Sequence, residues 1–166
     1  AGWRAWHEAQ QRAELMGWFS KHVSREVAEA IWTQREAFAT DGRIPPRKVQ
    51  VTVLFADIRS YTTISEQLSI PVMVDWINRS ISQMVAAVME NQGVVTRFAG
   101  DQVMAVFGVP IPRHDDAVVR ADAVNAVRAG LAMGDKLARH NAALAREGLP
   151  PARVRVGIFS GEVVQA

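Results

Sequence analysis

The stretch that decides the fold is VTVLFADIRSYT, which spans residues 51–62. Its apolar and β-branched start predicts a strand from Gln50 to Ile58 that is buried on both faces. Asp57 interrupts this run close to the end of the strand. A carboxylate at such a position gives up packing area and must be solvated, paired or bound to a metal.

A second aspartate has a similar setting. Residues 94–109 predict two strands joined by the two-residue turn Gly100-Asp101, a hairpin signal. If this hairpin lies beside the first strand, Asp57 and Asp101 converge at one end of a sheet. Two carboxylates and a backbone carbonyl suit Mg²⁺ or Mn²⁺. Each aspartate alone is also an ordinary cap or turn residue, whereas both together favour a metal site.

Helix signals separate the strands. Thr63–Glu66 matches a capping box that opens a short helix, and Ser69 with Pro71 opens a longer one that Gly93 stops. A third helix is predicted at roughly 115–147. The expected apolar stripes are Val74, Ile77, Ile81, Met84, Val85 and Val88 in the second helix, and Val118, Val119, Ala123, Val127, Leu131 and Leu137 in the third.

The C-terminal part completes an α+β pattern. Val154 to Phe159 predicts a strand, Ser160-Gly161 a turn, and Val163-Val164 the start of a further strand. The order β-αα-β-β-α-β predicts a ferredoxin-like antiparallel sheet with helices on one face, preceded by N-terminal helices.

We expect residues 1–42 to form a separate helical segment and residues 43–166 the main domain, with the boundary in a linker over residues 41–46 that contains Pro45-Pro46. A helix over 3–19 has residues at the spacing of a coiled-coil seam. These are Trp6, Ala9, Ala13 and Met16. Pairing with another chain and packing on its own domain are both open for this helix.

Composition excludes several classes of function. A formal charge of +2, without a run of Lys or Arg, argues against a nucleic-acid partner. The absence of Cys excludes disulfides and thiolate zinc sites. The longest apolar stretch is too short to span a bilayer, so we expect no membrane contact and a soluble, cytoplasmic segment, compatible with a membrane-anchored parent protein. The histidines lack metal spacing and are interpreted as surface residues. They are His7, His22, His114 and His140.

The motifs resemble those of the class III nucleotidyl cyclases. FADIRSYT, residues 55–62, is similar to the family signature F-x-D-I-x-G-F-T, and RFAGD, residues 97–101, is similar to its K-x-x-G-D hairpin. The further similar stretches are VMAVFG at 103–108, DDAVVRA at 115–121, VGIFSGEVV at 156–164 and, before the catalytic domain, FSKHVSREVA at 19–28. The likeness covers roughly residues 19–166.

The resemblance implies an adenylyl cyclase that converts ATP to 3′,5′-cyclic AMP and pyrophosphate, as a homodimer with sites at the subunit interface and two Mg²⁺ or Mn²⁺ ions. It implies metal ligation by the carboxylates of Asp57 and Asp101 and the carbonyl of Ile58. It also implies that residues 1–42 are a dimerising, signal-transmitting segment. The backbone amides expected to hold phosphate are those of Ser60, Tyr61 and Thr62.

Three departures from the family pattern matter. Arg97 stands where adenylyl cyclases carry a base-selecting Lys and guanylyl cyclases a Glu; its positive charge favours ATP, although its geometry differs from that of Lys. Ser60 replaces a Gly and would be strained if the turn needs a positive φ. Family chains continue past the GEVV strand with further site residues, so we expect little activity from these 166 residues alone.

Two alternatives follow from these departures. The first is a related domain without turnover, which binds nucleotide or metal or pairs with a partner as a regulatory module. The second is a diguanylate-cyclase-like enzyme. AGDQV at 99–103 replaces the G-G-D/E-E-F hairpin of that class and argues against it.

Overall fold

The computed structural model describes residues 47–109 and 114–165, together with the single helical residue Glu29. The expected N-terminal helices and the linker at 41–46 lie outside the described residues. The elements are β1 Arg47–Ile58, α1 Tyr61–Gln67, α2 Ile70–Glu90, β2 Val94–Ala99, β3 Gln102–Phe107, α3 Asp116–Arg146 and β4 Val154–Gln165.

The four strands form one antiparallel sheet in the order β2-β3-β1-β4. The α+β, ferredoxin-like expectation is therefore confirmed. Alternate residues of β1, Leu54, Ala56 and Ile58, pack in a core with residues of α2 and α3. We call the opposite side of the sheet the outer face. It carries Asp57 and Phe55, and Phe55 is 57% exposed, so the expected burial of β1 on both faces is wrong at this end.

The buried stripe of α3 differs from the expected one, whereas that of α2 largely matches it. In α3 the buried residues are Asp122, Ala126, Ala129, Met133, Leu137 and Leu144. Of the expected stripe, Leu137 is buried, whereas Val127 and Leu131 are exposed. Alanines face the core because they let the helix approach the sheet closely. In α2 the expected stripe is mostly confirmed, since Ile77, Met84 and Val88 are buried and Ile81 and Val85 pack against the core. Val74 is exposed instead, and Trp76 is fully buried.

Two local expectations were wrong for identifiable reasons. α1 begins at Tyr61, so Thr63 lies inside the helix and cannot cap it. β4 runs without interruption through Ser160-Gly161, where a turn was expected. A Cβ on Gly161 would lie 2.7 Å from Cε1 of Phe159, so this glycine makes room for an aromatic ring.

Other expected boundaries are confirmed. Ser69 is the N-cap of α2, with Pro71 in the first turn, and Asp115 caps α3 by accepting a hydrogen bond from the Ala117 amide. α2 ends before Gly93, but Gln92 takes the left-handed conformation, with φ 66°. A Cβ on Gly93 would lie 2.6 Å from Cγ1 of Val88, so close packing explains this glycine.

Polar contacts join the end of α3 to α2. Trp76 Nε1 donates a 2.8 Å hydrogen bond to the Pro150 carbonyl, and Arg79 makes two hydrogen bonds to the Glu147 carboxylate. His140 lies half-buried against Ser80, with Nε2 3.4 Å from the hydroxyl, so its interpretation as a surface residue was wrong. Partial burial, with the nearby Arg79 charge, lowers the pKa of His140, while Glu147 opposes that shift.

The free energy of unfolding is therefore expected to fall as the pH drops through about 6.5, the usual histidine pKa. The unfolded chain binds a proton there more readily than the folded chain, so stability is present above this pH and is lost below it. Urea unfolding at several pH values measures the effect. His140→Gln should remove that part of the pH dependence, whereas His114→Gln, at an exposed histidine, should keep it; equal curves for both variants would contradict the assignment.

Candidate active site

Asp57 is the last residue but one of β1, and it lies on the outer face of the sheet. Its neighbours across the two ladders are Gln102 on β3 and Arg155 on β4. These residues line a groove of about 280 Å³ together with Phe55 and Gly157. The alternation of β1 places Ala56 and Ile58 in the core, and this packing fixes Asp57 on the opposite side.

The β2–β3 hairpin brings Asp101 to the same end of the sheet. Gly100, with φ 60°, and Asp101 form the turn, and the Ile58 amide donates a 3.1 Å hydrogen bond to the Asp101 carbonyl. The two expected metal-binding aspartates, separated by 44 positions in the sequence, thus belong to adjacent backbone segments.

Arg155 forms an ion pair with Asp57 that sequence reasoning missed. Its Nε and Nη2 donate hydrogen bonds of 2.8 and 2.9 Å to Oδ1 and Oδ2 of Asp57, and these bonds raise the pKa of Arg155 above its usual value. Asp101 contributes a weaker attraction to the same guanidinium. No local sequence signal indicates this pair, because it depends on the register of β4 against β1, which places the two residues opposite each other.

The turn after β1 has a positive φ at Ser60, the position at which the family pattern has a glycine. Ser60 lies in the left-handed region, at φ 59° and ψ 25°, and its side chain makes no capping hydrogen bond. Tyr61 and Thr62 follow as the first residues of α1. The amides of a first helical turn have no partner within the helix. The Tyr61 hydroxyl contacts the Met73 sulfur at 3.4 Å, which ties this turn to α2.

Ser60→Gly is expected to stabilise the protein by about 1 kcal/mol, because a residue with a Cβ pays for the left-handed conformation and glycine does not. Thermal and urea unfolding measure the change. Ser82→Gly is the matched control, since Ser82 is exposed within α2. It should cost about 0.5 kcal/mol through lost helix propensity. A destabilising Ser60→Gly would contradict the strain.

A β-bulge in β2 determines on which face of the sheet Arg97 lies. Val95 pairs with Ala105, and the next paired residue of β2 is Arg97, opposite Met104, so Thr96 is the extra residue. Met104 also pairs with Phe55 on β1. Arg97 therefore lies on the outer face, the face of Asp57. In an uninterrupted ladder it would pair with Val103, whose side chain is buried in the core.

The donor set fits a cation that prefers oxygen ligands. Two carboxylates and the nearby Ile58 carbonyl are hard ligands, of the type that Mg²⁺ and Mn²⁺ share with water and phosphate. Among the described residues, no group of three or more His, Cys, Asp or Glu side chains is placed to hold a metal ion.

The fold is that of a nucleotide cyclase catalytic domain. The chain belongs to the adenylate and guanylate cyclase catalytic domain family, whose sequence profile matches residues 45–166. Adenylate cyclase 1 of Rhizobium meliloti is 33% identical over 117 residues, which are 69% of this chain and 16% of that protein. The chain spans a quarter or less of the length of the curated relatives it matches.

Solved structures agree with this assignment. The adenylyl cyclase CyaB from P. aeruginosa aligns with a TM-score of 0.67 and 30% identity, over 73% of this chain and 60% of that one. The guanylyl cyclase Cya2 aligns with a TM-score of 0.65 and 30% identity, over 73% of this chain and 58% of that one. Within the described residues, no helix combines the length and apolarity needed to cross a membrane.

Proposed function

We propose that this chain is the catalytic domain of an adenylyl cyclase, which converts ATP to 3′,5′-cyclic AMP and pyrophosphate. The observation that carries the proposal is the convergence of Asp57 and Asp101, joined through the hydrogen bond from the Ile58 amide to the Asp101 carbonyl. In this reaction the ribose 3′-oxygen bonds to the α-phosphorus, the bond to the bridging oxygen breaks, and pyrophosphate and a proton leave.

The residues around this point have complementary tasks. The carboxylates of Asp57 and Asp101, with the Ile58 carbonyl, would hold two divalent ions. Such ions supply charge neutralisation for the phosphates and acidify the attacking hydroxyl. The amides of Ser60, Tyr61 and Thr62 would bind phosphate oxygens at the start of α1.

Base selection is proposed for Arg97. Its guanidinium donates hydrogen bonds and accepts none, which suits an acceptor nitrogen of adenine. Guanine instead presents an N–H and an exocyclic amino group on its pairing edge, which call for an acceptor such as a carboxylate. The position of Arg97 on the face of Asp57 supports this role. The similarity to both adenylyl and guanylyl cyclases does not by itself decide between the two bases.

A homodimer through the outer face is proposed as the working assembly. Phe55 and Phe159 expose 57% and 72% of their surface on this side of the sheet, beside Asp57. Val53, which pairs directly with Phe159, lies two residues before Phe55, so the two rings are diagonal neighbours. Exposed aromatic residues of this kind favour a protein interface.

Because little activity is expected from these 166 residues alone, the experiment is a turnover assay with MnATP and, separately, MnGTP on a chain extended past residue 166, combined with a binding measurement on the same preparation. Cyclic AMP formed in preference to cyclic GMP supports the proposal. An Arg97→Glu variant should shift the preference toward GTP, and Arg97→Lys should keep ATP. Neither turnover nor Mn²⁺-dependent nucleotide binding by the folded protein would overturn the proposal.

A second candidate is a cyclase-homology module that binds nucleotide without turnover. The ion pair of Asp57 with Arg155 favours it, because both carboxylate oxygens already have a partner. Mn²⁺-dependent ATP binding without cyclic AMP would support this candidate over the first.

A further inference from the structure

Two ion pairs join β1 to β4 in the described part of the chain. At one end, Lys48 Nζ lies 3.1 Å from the Glu162 carboxylate. At the other end, Arg155 pairs with Asp57 through two hydrogen bonds. Both pairs cross the same ladder, but the second uses a carboxylate to which we assign metal binding.

The geometry of the second pair obstructs a cation at Asp57. A fork of two N–H groups engages one lone pair on each oxygen, the arrangement in which guanidinium holds a carboxylate best. A divalent ion on the same carboxylate would add two positive charges within a few ångströms of the guanidinium. Their repulsion opposes simultaneous binding.

The exposure of the pair shows that it can open. The Asp57 side chain is 29% exposed and the Arg155 side chain 68%, so solvent screens their attraction. The Arg155 side chain can move away from the sheet without leaving a cavity in the core, whereas Asp57 is fixed by the packing of β1.

We propose that Arg155 closes the Asp57 site when no cation is bound, so that the ion pair and divalent-ion binding exclude each other. Arg155 is in this sense a positioning residue with a regulatory effect: it sets the cation concentration at which Asp57 becomes available. The proposal rests on the proposed function, since it takes Asp57 as a metal ligand.

The test is Mn²⁺ affinity, measured without nucleotide from the paramagnetic resonance signal of free Mn²⁺ at constant pH and ionic strength. Arg155→Gln should bind Mn²⁺ about twofold to fivefold more tightly than the unchanged chain, because a partly exposed pair contributes an attraction of this order. Arg155→Lys should lie between the two, since Lys keeps the charge but cannot form the fork.

The matched control is Lys48→Gln. It removes one positive charge and one ion pair from the same two strands, at the end far from Asp57. We expect its Mn²⁺ affinity to equal that of the unchanged chain, and Asp57→Ala to lose the Mn²⁺ site. Circular dichroism and thermal unfolding verify that each variant is folded.

The outcomes separate the two proposals. An unchanged or weaker Mn²⁺ affinity in Arg155→Gln, with a site that Asp57→Ala removes, overturns the closing role of Arg155 and leaves the metal site intact. A gain in Lys48→Gln equal to that in Arg155→Gln also overturns it, because overall charge would then explain the change. Absence of Mn²⁺ binding by the folded unchanged chain and by Arg155→Gln overturns the metal site together with the inference.

Discussion

In a chain extended past residue 166, Asp57→Ala is expected to lower cyclic-nucleotide production about 100-fold or more and to abolish Mn²⁺-dependent ATP binding. The substitution removes a proposed metal-binding carboxylate that charge stabilisation of the phosphates requires. The fold should survive, because the lost ion pair with Arg155 is partly exposed and pairs of this kind contribute about 1 kcal/mol or less. Turnover and nucleotide fluorescence titrations measure the two effects.

Asp135→Ala is the matched control for this substitution. Asp135 is exposed on α3, away from the sheet end that carries Asp57. Its loss should leave both turnover and binding unchanged. Asp101→Ala should behave like Asp57→Ala. Full activity of either site variant would show that the two aspartates are turn and ladder residues without a catalytic task.

Trp76→Ala is expected to destabilise the protein by about 3–5 kcal/mol, the usual cost of removing a large aromatic side chain from a core. Trp76 is fully buried in α2 and contacts the same core as the sheet. Its indole also satisfies the Pro150 carbonyl between α3 and β4. Urea unfolding followed by circular dichroism measures the loss.

Two further variants keep this prediction decisive if Trp76→Ala does not fold. Trp76→Phe retains most of the packing and loses the hydrogen bond, so it should cost about 1–2 kcal/mol. Val74→Ala, two residues earlier in the same helix, should change stability by about 0.5 kcal/mol or less, since Val74 is exposed. A larger effect at Val74 than at Trp76 would contradict the observed burial of Trp76 and exposure of Val74.

Local signals predicted most of the fold. The Gly100-Asp101 hairpin, the Ser69 cap with Pro71 and the Asp115 cap depend on neighbours a few residues away, and the structure has all three. The burial of α3 was not predictable in this way. Hydrophobicity favoured its valines, whereas the close approach of the helix to the sheet selected Ala126 and Ala129.

The residues of the candidate site were easier to predict than the contacts between them. The motifs identified Asp57 and Asp101, and the need for a positive φ at Ser60 agrees with the geometry of the turn. The pairing of Asp57 with Arg155 joins residues 98 positions apart and depends on the register of β4. Gly161 was interpreted as a turn residue, so the continuation of β4 through this position was not predicted.

Thr96, the extra residue of the bulge, lies between a residue of β2 that faces the core and one that faces the opposite side of the sheet. Val95, before the bulge, packs in the core, and Arg97, after it, belongs to the face that carries the site. Because the bulge resets the alternation, the identity of Arg97 can change during evolution without disturbing the core residues before it. A change in length is different: deletion of one residue here would turn Arg97 inward. The base preference proposed for Arg97 can therefore vary by substitution, while the residue count of the strand is held constant.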